Sequence, residues 1–239
     1  MPLVIDAATK TDDPDATLAR TVRLIEAVSG RSAYLALLQE RRDALGKVAK
    51  LLAASSWAAG YLTQHPVLLD ELLDPRLYGA TSSDTNFAAE LRESIAAYRD
   101  DVERQMDLMR EIHHAHVFRL LVQDLEGLLE VEKLADFLSA LADAVLAVTV
   151  ETCWARILTR HRESPRFAVI GYGKLGGKEL GYASDLDITF IHDDPDPQAQ
   201  EVYARLGQRI VTWLSSRTGA GMLFETDLRL RPNGESGLL

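Results

Sequence analysis

Three acidic residues in the last quarter of the chain have the spacing of a cation site. In "SDLDITF", residues 184–190, Asp185 and Asp187 alternate with apolar residues, so on a β-strand both carboxylates project to one face. Like charges on one face repel unless a cation lies between them, and Mg²⁺ with nucleotide phosphates is a frequent occupant of such a pair. In "LFETDLRLRP", Asp227 lies on a second alternating strand. If this strand lies beside the Asp185 strand, Asp227 becomes a third carboxylate, able to share a metal and to accept a proton from an attacking hydroxyl.

The charged neighbours of these acids have two interpretations. Glu225, Arg229 and Arg231 alternate in step with Asp227, so the arginines either pair with carboxylates to hold the sheet or support the site directly. Alternating acidic and apolar residues are also typical of any half-exposed strand. A glycine-rich turn, Ser184 beside the acid pair and a third acid one helix later favour a functional site, because surface patterning does not predict that combination.

A glycine-rich stretch precedes the acid pair. "FAVIGYGKLGG", residues 167–177, contains G-x-G-x-x-G directly after an apolar run, which is the pattern of a dinucleotide-binding turn. That fold requires a crossover helix before its next parallel strand. Only seven residues, "KELGYAS", separate Gly177 from Asp185, so the two flanking strands are predicted to be antiparallel neighbours. An acid about twenty residues further on, Asp193 or Asp194, therefore carries little weight as a ribose ligand.

The same turn suits phosphates that lie over the acid pair. Glycines let backbone N–H groups approach a phosphate closely, and a lysine adds a point charge. For the lysines, a solvated loop is the alternative. We predict nucleotide contacts for Gly173, Lys174, Gly176, Gly177 and Ser184, with support from Lys178.

The elements that must position these residues follow a change in the sequence near residue 162. Before it the chain is predicted to be helical, beginning where Asp13 can cap a helix and Pro14 can occupy its first turn. After it, strands are predicted over residues 166–171, 185–192 and 221–231, and a helix over 198–216. The predicted class is α+β, with a helical region over residues 1–162 and a mixed-sheet domain over residues 163–239.

Composition and charge argue against several classes of protein. The formal net charge of -10 does not suit a surface that neutralises a nucleic-acid backbone. Cys153 is the single cysteine, which argues against a disulfide framework and predicts a core residue. His113 and His116 lie three apart, but with no further ligand apparent a solvated or partner-facing helix is the more typical explanation. The N-terminus lacks a basic and apolar leader, and no long apolar run follows, which predicts a cytoplasmic protein without membrane contact.

The order of strand, glycine turn, Asp-x-Asp pair and later acid resembles the nucleotidyltransferase superfamily related to DNA polymerase β. Its Gly-Gly/Ser turn matches residues 173–174, with lysine where serine is common, and its three carboxylates match Asp185, Asp187 and Asp227. "GYGKLGGKELGYASDLDITFIHD" and "DLRLRPNGESGLL" resemble more narrowly the signature blocks of glutamine synthetase adenylyltransferases. Helical segments before residue 162 are similar to that family as well.

This resemblance implies a polymerase β-like sheet with a flanking helix, incomplete at residue 239. It implies Mg²⁺-dependent transfer of AMP from ATP to a tyrosine of glutamine synthetase, with metal binding and catalysis by Asp185, Asp187 and Asp227. It also implies the PII signal protein as a partner. The family has one domain that attaches AMP and one that removes it by phosphorolysis, and this chain is more similar to the attaching domain. A non-catalytic helical interaction module and an antibiotic- or PII-modifying nucleotidyltransferase stay as alternatives.

Overall fold

The computed structural model describes residues 2–72, 74, 77 and 86–228, which pack into two compact units. One unit contains the described residues before position 78 together with residues 114–130, and the other contains residues 86–113 and 131–228. The described part of the first unit is helical, and the second adds a three-stranded mixed sheet. The α+β class predicted from the sequence is therefore confirmed.

Short helices build most of the first unit. In its described residues these are α1 (Pro2–Ala8), α2 (Pro14–Ala27), α3 (Ser32–Glu40), α4 (Arg42–Ala54), α5 (Ser56–Gln64), a 3₁₀ turn (Pro66–Leu68) and α6 (Leu69–Leu72). As predicted, the side chain of Asp13 caps α2 by accepting the N–H of Ala16 at 3.1 Å, and Pro14 begins the helix. The sequence did not predict α1. The core of this unit includes the fully buried Leu24, Leu52 and Leu62.

Helix α8 continues α7 in chain order and contributes to both units. α7 spans Phe87–Ala96 and α8 spans Val102–Leu125, with α8 residues up to 113 in the second unit and later ones in the first. The prediction of a solvated or partner-facing helix is wrong for its histidines, because His113, His114 and His116 are all buried. The Tyr61 hydroxyl lies 2.6 Å from Nδ1 of His114, and the His113 ring packs edge-on against Phe224.

The longest helix of the second unit is α9 (Val131–Ala155), which is buried along most of its length. Cys153 lies in its last turns and is fully buried, as predicted, and burial raises the pKa of its thiol to about 12. A buried thiol with that pKa is protonated at neutral pH and packs as a small apolar group. Among the described residues, no helix has the length and apolar character needed to cross a membrane.

The sheet of the second unit has the strand order β1-β2-β3. Its strands are β1 (Phe167–Gly171), β2 (Leu186–His192) and β3 (Thr226–Asp227), with the short helix α10 (Gly173–Gly177) between the first two and α11 (Ala199–Ser215) between the last two. β1 and β2 are antiparallel, which confirms the prediction from the seven-residue connection, and β2 and β3 are parallel. The crossover helix that a dinucleotide fold requires does not fit between β1 and β2.

The third strand starts later than predicted. The N–H groups of Leu223 and Phe224 donate to the carbonyl of Leu214 near the end of α11, at 3.2 and 3.0 Å, and Thr218 pairs with Gly221. The N–H groups of residues 223 and 224 therefore bond to a C-terminal carbonyl of a helix instead of to a strand. The strand predicted over residues 221–231 is wrong for residues 221–225, and residues 229–231 lie outside the described part of the chain.

Arg110 of α8 binds the end of α11 and the segment that follows it. Its side chain is fully buried. The guanidinium donates to the carbonyls of Trp213 and Ser216, each at 2.7 Å, and to that of Gly221 at 3.0 Å. Burial lowers the pKa of Arg110, and the nearby charge of Asp107 opposes that shift. One side chain thus fixes the path from the end of α11 to β3.

Asp194, one of the two acids at dinucleotide-fingerprint spacing, is a buried structural residue. Its carboxylate lies 2.8 Å from Nε2 of His161 and 2.7 Å from the guanidinium of Arg162, and it accepts the Tyr203 hydroxyl at 2.7 Å. Burial raises the pKa of Asp194, but these hydrogen bonds and the Arg162 charge outweigh burial and hold the pKa below its usual range. Its ionised form therefore stabilises the fold above about pH 4, and that contribution is lost as the pH falls through the folded-state pKa.

Candidate active site

The parallel pairing of β2 with β3 brings together the three acids that the sequence predicts. The register places Asp187 directly beside Asp227, and the N–H of Leu186 donates to the carbonyl of Glu225 at 2.9 Å. Asp185 is the residue before β2. One carboxylate oxygen from each of Asp185, Asp187 and Asp227 lies within 4.8 Å of the others.

This donor set fits a hard divalent cation. Three carboxylates supply only oxygen ligands, which Mg²⁺, Mn²⁺ and Ca²⁺ prefer. Asp185 is exposed and the other two acids are half-buried, so a cation bound there would remain open to a ligand from solvent. The three negative charges repel one another, and a cation converts that repulsion into attraction.

Gly173 contacts the acid cluster through its backbone. A Cβ at this position would lie 2.3 Å from Oδ2 of Asp187, and its φ of +52° is in the left-handed region. Both observations favour glycine, because a Cβ would force the Asp187 carboxylate to move and L residues rarely adopt this backbone conformation. The start of α10 is therefore built against Asp187, as expected if the glycine turn and the acid pair form one site.

The other residues of the glycine turn have different surroundings. A Cβ on Gly176 would lie 2.7 Å from the carbonyl oxygen of Gly171, so this glycine lets α10 pack against the end of β1. A Cβ on Gly177 would make only ordinary van der Waals contacts, the nearest at 3.5 Å to the side chain of Glu179. Lys174 is exposed. Their nucleotide contacts stay predictions.

Lys178 ends α10 in an unusual conformation. Its φ of 56° and ψ of 42° are left-handed, and no other non-glycine residue in the described chain has a positive φ. Burial raises the pKa of Asp143 on α9, and the charge of Lys178 opposes that shift. The charge of Lys178 thus acts on α9, and Lys178 lies at the opposite end of α10 from Gly173. No pattern in the sequence indicates Asp143, because the two residues are far apart along the chain.

Of the remaining predicted residues, Ser184 lies in the turn before β2 and Glu225 directly precedes β3. The Ser184 hydroxyl accepts the N–H of Gly181 at 2.9 Å and closes the turn before Asp185. The side chain of Glu225 is exposed. Arg229 and Arg231 lie outside the described residues, so their roles stay predictions.

One residue of the site was missed by sequence reasoning. Tyr172 lies between β1 and α10, and its N–H donates to the carbonyl of Asp187 at 2.8 Å. Its side chain is 44 % exposed. The available signal was an aromatic residue between two glycines in "GYG", which by itself does not show that the residue lies opposite an acid.

Comparison with known proteins agrees with this geometry. The family model described as glutamate-ammonia ligase adenylyltransferase matches residues 45–239. Three similar relatives each carry the name bifunctional glutamine synthetase adenylyltransferase/adenylyl-removing enzyme. The relative from Aromatoleum aromaticum is 63% identical over 239 residues, which is 100% of this chain and 26% of the relative. That from Ralstonia nicotianae is 54% identical over 98% of this chain and 25% of the relative, and that from Neisseria meningitidis serogroup A is 51% identical over 100% and 27%.

The chain spans about a quarter of the length of these relatives. The match nevertheless includes the glycine turn and all three acids, which lie within residues 45–239. The chain belongs to the glutamate-ammonia ligase adenylyltransferase family.

Proposed function

We propose that this chain carries the site at which AMP is transferred from ATP to a tyrosine of glutamine synthetase, with Mg²⁺ as cofactor and within a longer protein. The observation that supports it best is the meeting of three carboxylates against the glycine turn, with a Cβ at Gly173 excluded by Asp187. A triphosphate and its cation need such a pair of surfaces: acids for the metal, and bare backbone for the phosphates.

In this proposal the three acids have different roles. Asp185 and Asp187 hold the cation with the triphosphate, and Asp227 shares the cation and accepts the proton of the attacking tyrosine hydroxyl. The tyrosine oxygen forms a bond to the α-phosphorus, the bond to the β-phosphate oxygen breaks, and pyrophosphate leaves. Bound Mg²⁺ supplies charge neutralisation at the triphosphate.

The glycine turn contributes position and charge. The backbone of Gly173, Gly176 and Gly177 approaches the phosphates, and Lys174 and Lys178 add positive charge. Ser184, directly before Asp185, is a further proposed nucleotide contact. The proposed supporting residues on and after β3 are Glu225, Arg229 and Arg231.

The names of the relatives contain two activities, attachment and removal of AMP, and we assign this chain to attachment on the sequence of its signature block. Its partners in the proposal are glutamine synthetase and the PII signal protein, its location is the cytoplasm, and it binds neither nucleic acid nor membrane. The proposal divides the chain into a helical region over residues 1–162 and a catalytic domain that begins at residue 163.

Nucleotide binding by the 239-residue chain tests the site. Calorimetric titration with ATP is expected to give binding that requires Mg²⁺ and disappears with EDTA. The double variant Asp185→Asn with Asp187→Asn should lose it, because neutral amides attract a cation far less. Asp193→Asn is the matched control: it removes an exposed acid just after β2 and should bind as the wild type does.

Two transfer assays then identify the reaction. Attachment predicts that label from α-³²P-ATP appears on a tyrosine of glutamine synthetase, whereas removal predicts that adenylylated glutamine synthetase and phosphate yield ADP. Equal Mg²⁺-ATP binding by the double variant would exclude the acid cluster as the site. A wild-type chain that binds glutamine synthetase but no nucleotide would support a non-catalytic interaction module and overturn the proposal.

A further inference from the structure

We propose that Tyr172 is a substrate-contacting residue whose ring packs against the adenosine part of ATP. This inference rests on the proposed function and adds a contact for the nucleoside, which none of the acids or glycines provides. Neither the resemblance nor the names of the relatives gives this residue a role. Its position, exposure and surroundings support one.

The position of Tyr172 follows from the β1–β2 register. Gly171 is paired with Ile188, and the N–H of Tyr172 donates to the carbonyl of Asp187 at 2.8 Å, so the antiparallel ladder continues one residue beyond β1. The backbone of Tyr172 is extended, with φ −118° and ψ −175°. Residues directly opposite in antiparallel strands project to the same face with Cβ atoms about 5 Å apart. The Tyr172 side chain therefore emerges beside the Asp187 carboxylate.

The ring of Tyr172 has no structural task in the part of the chain described. It is 44 % exposed. Among the described residues it stacks on no other ring and its hydroxyl makes no hydrogen bond, unlike Tyr61 and Tyr203, whose hydroxyls bond to His114 and Asp194. Exposing an aromatic ring on a fixed backbone position is unfavourable for folding alone, and aromatic rings are enriched where a ligand covers them.

The neighbouring surface favours a nucleoside over phosphate. On the face that carries Tyr172 and Asp187, the next register pair is Ile170 with Thr189, both half-buried, followed by Ala168 with Ile191, both exposed. This strip is uncharged, so it offers nothing to hold a triphosphate. A purine base has an apolar π-face that stacks on tyrosine, and its phosphates can still reach the acid cluster at the strip's end.

Titrations with two probes separate the nucleoside from the phosphates. The 239-residue chain is titrated with Mg²⁺-ATP and with Mg²⁺-tripolyphosphate. Tyr172→Ala should weaken Mg²⁺-ATP binding by roughly 5- to 150-fold, the range for loss of one base–aromatic stack, and leave tripolyphosphate binding unchanged. Tyr172→Phe keeps the ring and should bind both probes as the wild type does. Tyr98→Ala removes a tyrosine of similar exposure, 41 %, and should change neither.

Each other outcome has a distinct meaning. If Tyr172→Ala binds Mg²⁺-ATP with wild-type affinity while Asp187→Asn does not, the inference on Tyr172 is wrong and the proposed function stands. If Tyr172→Phe loses affinity for both probes, the hydroxyl contacts phosphate and the ring-to-nucleoside contact is refuted. If the wild-type chain binds neither probe, the proposed function fails and this inference fails with it. Thermal melting by circular dichroism confirms that each variant is folded.

Discussion

Replacing Arg110 with methionine should destabilise the second unit more than any exposed arginine can. Arg110 is fully buried and donates to three carbonyls in and after the last turn of α11, those of Trp213, Ser216 and Gly221. Methionine fills a similar volume but donates no hydrogen bond. The Arg110→Met variant therefore removes the side-chain donor of the Trp213 and Ser216 carbonyls, whereas the Gly221 carbonyl still accepts the N–H of Thr218 at 2.8 Å.

Four hydrogen bonds of Arg110 are lost, of which one, to the Met106 carbonyl at 2.8 Å, lies within α8. The magnitude follows from the carbonyls of Trp213 and Ser216. A buried acceptor left without a partner costs about 1–3 kcal/mol, and local relaxation or water entry keeps each value toward the lower end. The expected loss is about 2–4 kcal/mol for these two carbonyls. That is a large part of the 5–15 kcal/mol by which domains are typically stable.

Urea denaturation followed by circular dichroism measures this loss. The matched control is Arg92→Met on α7, where Nε and Nη2 of the guanidinium donate to Glu151 at 2.8 and 2.7 Å on the surface. An exposed pair of this kind contributes about 0–1 kcal/mol. Arg110→Lys should lie close to Arg110→Met, because one ammonium cannot reach three separated carbonyls. A free energy of unfolding for Arg110→Met within 1 kcal/mol of that for Arg92→Met would refute this reasoning.

Three further features are tested by substitution. Gly173→Ala should abolish Mg²⁺-ATP binding in calorimetry because its Cβ would meet Asp187 at 2.3 Å, and the control Gly219→Ala, with nothing within 4 Å of its Cβ, should not; equal binding by both would contradict the close approach. Asp194→Asn should lower the urea midpoint at neutral pH. The difference from wild type should shrink as the pH falls below about 4, because Asp194 of the unfolded wild type is then protonated while the folded form, with its lowered pKa, stays ionised; a difference that grows in acid would show the opposite linkage. Gly60→Ala, in open space on α5, should raise the free energy of unfolding by about 0.5–1 kcal/mol, and an unchanged midpoint would count against it.

Local patterns in the sequence were sufficient for much of this molecule. Capping preference, connection length and strand alternation were enough to predict the Asp13–Pro14 start of α2, the antiparallel β1–β2 pair and the shared face of Asp185 and Asp187. Each is a short-range rule that needs no knowledge of the tertiary fold. The meeting of Asp227 with that pair joins distant parts of the chain, and the resemblance to a family predicted it.

Features that depend on distant partners could not be predicted. The alternation of side-chain types through residues 221–225 indicated a strand. In the structure, the N–H groups of Leu223 and Phe224 donate to the carbonyl of Leu214 at the end of α11. The spacing of His113 and His116 showed a shared helix face without showing that the face is buried. Only the tertiary structure determines which apolar and polar surfaces meet.

The same contrast applies to the candidate site. Residue types and spacing were enough to identify the glycine turn and the acids. The close approach of Gly173 to Asp187 and the effect of the Lys178 charge on Asp143 depend on the tertiary structure. Tyr172 was missed because no rule for "GYG" predicts its partner across the strands.

The two-residue ladder between β2 and β3 has a consequence for how metal binding and order are linked. It joins Asp187 to Asp227, which are 40 positions apart in sequence, and the loop closure this requires costs conformational entropy. A cation held by acids from both strands acts as a non-covalent cross-link, so it strengthens the pairing by the same factor by which the pairing strengthens the cation's affinity. Amide hydrogens at residues 226–228 should then exchange more slowly with solvent when Mg²⁺ and nucleotide are bound. Substrate binding would thus stabilise the pairing of β3 with β2.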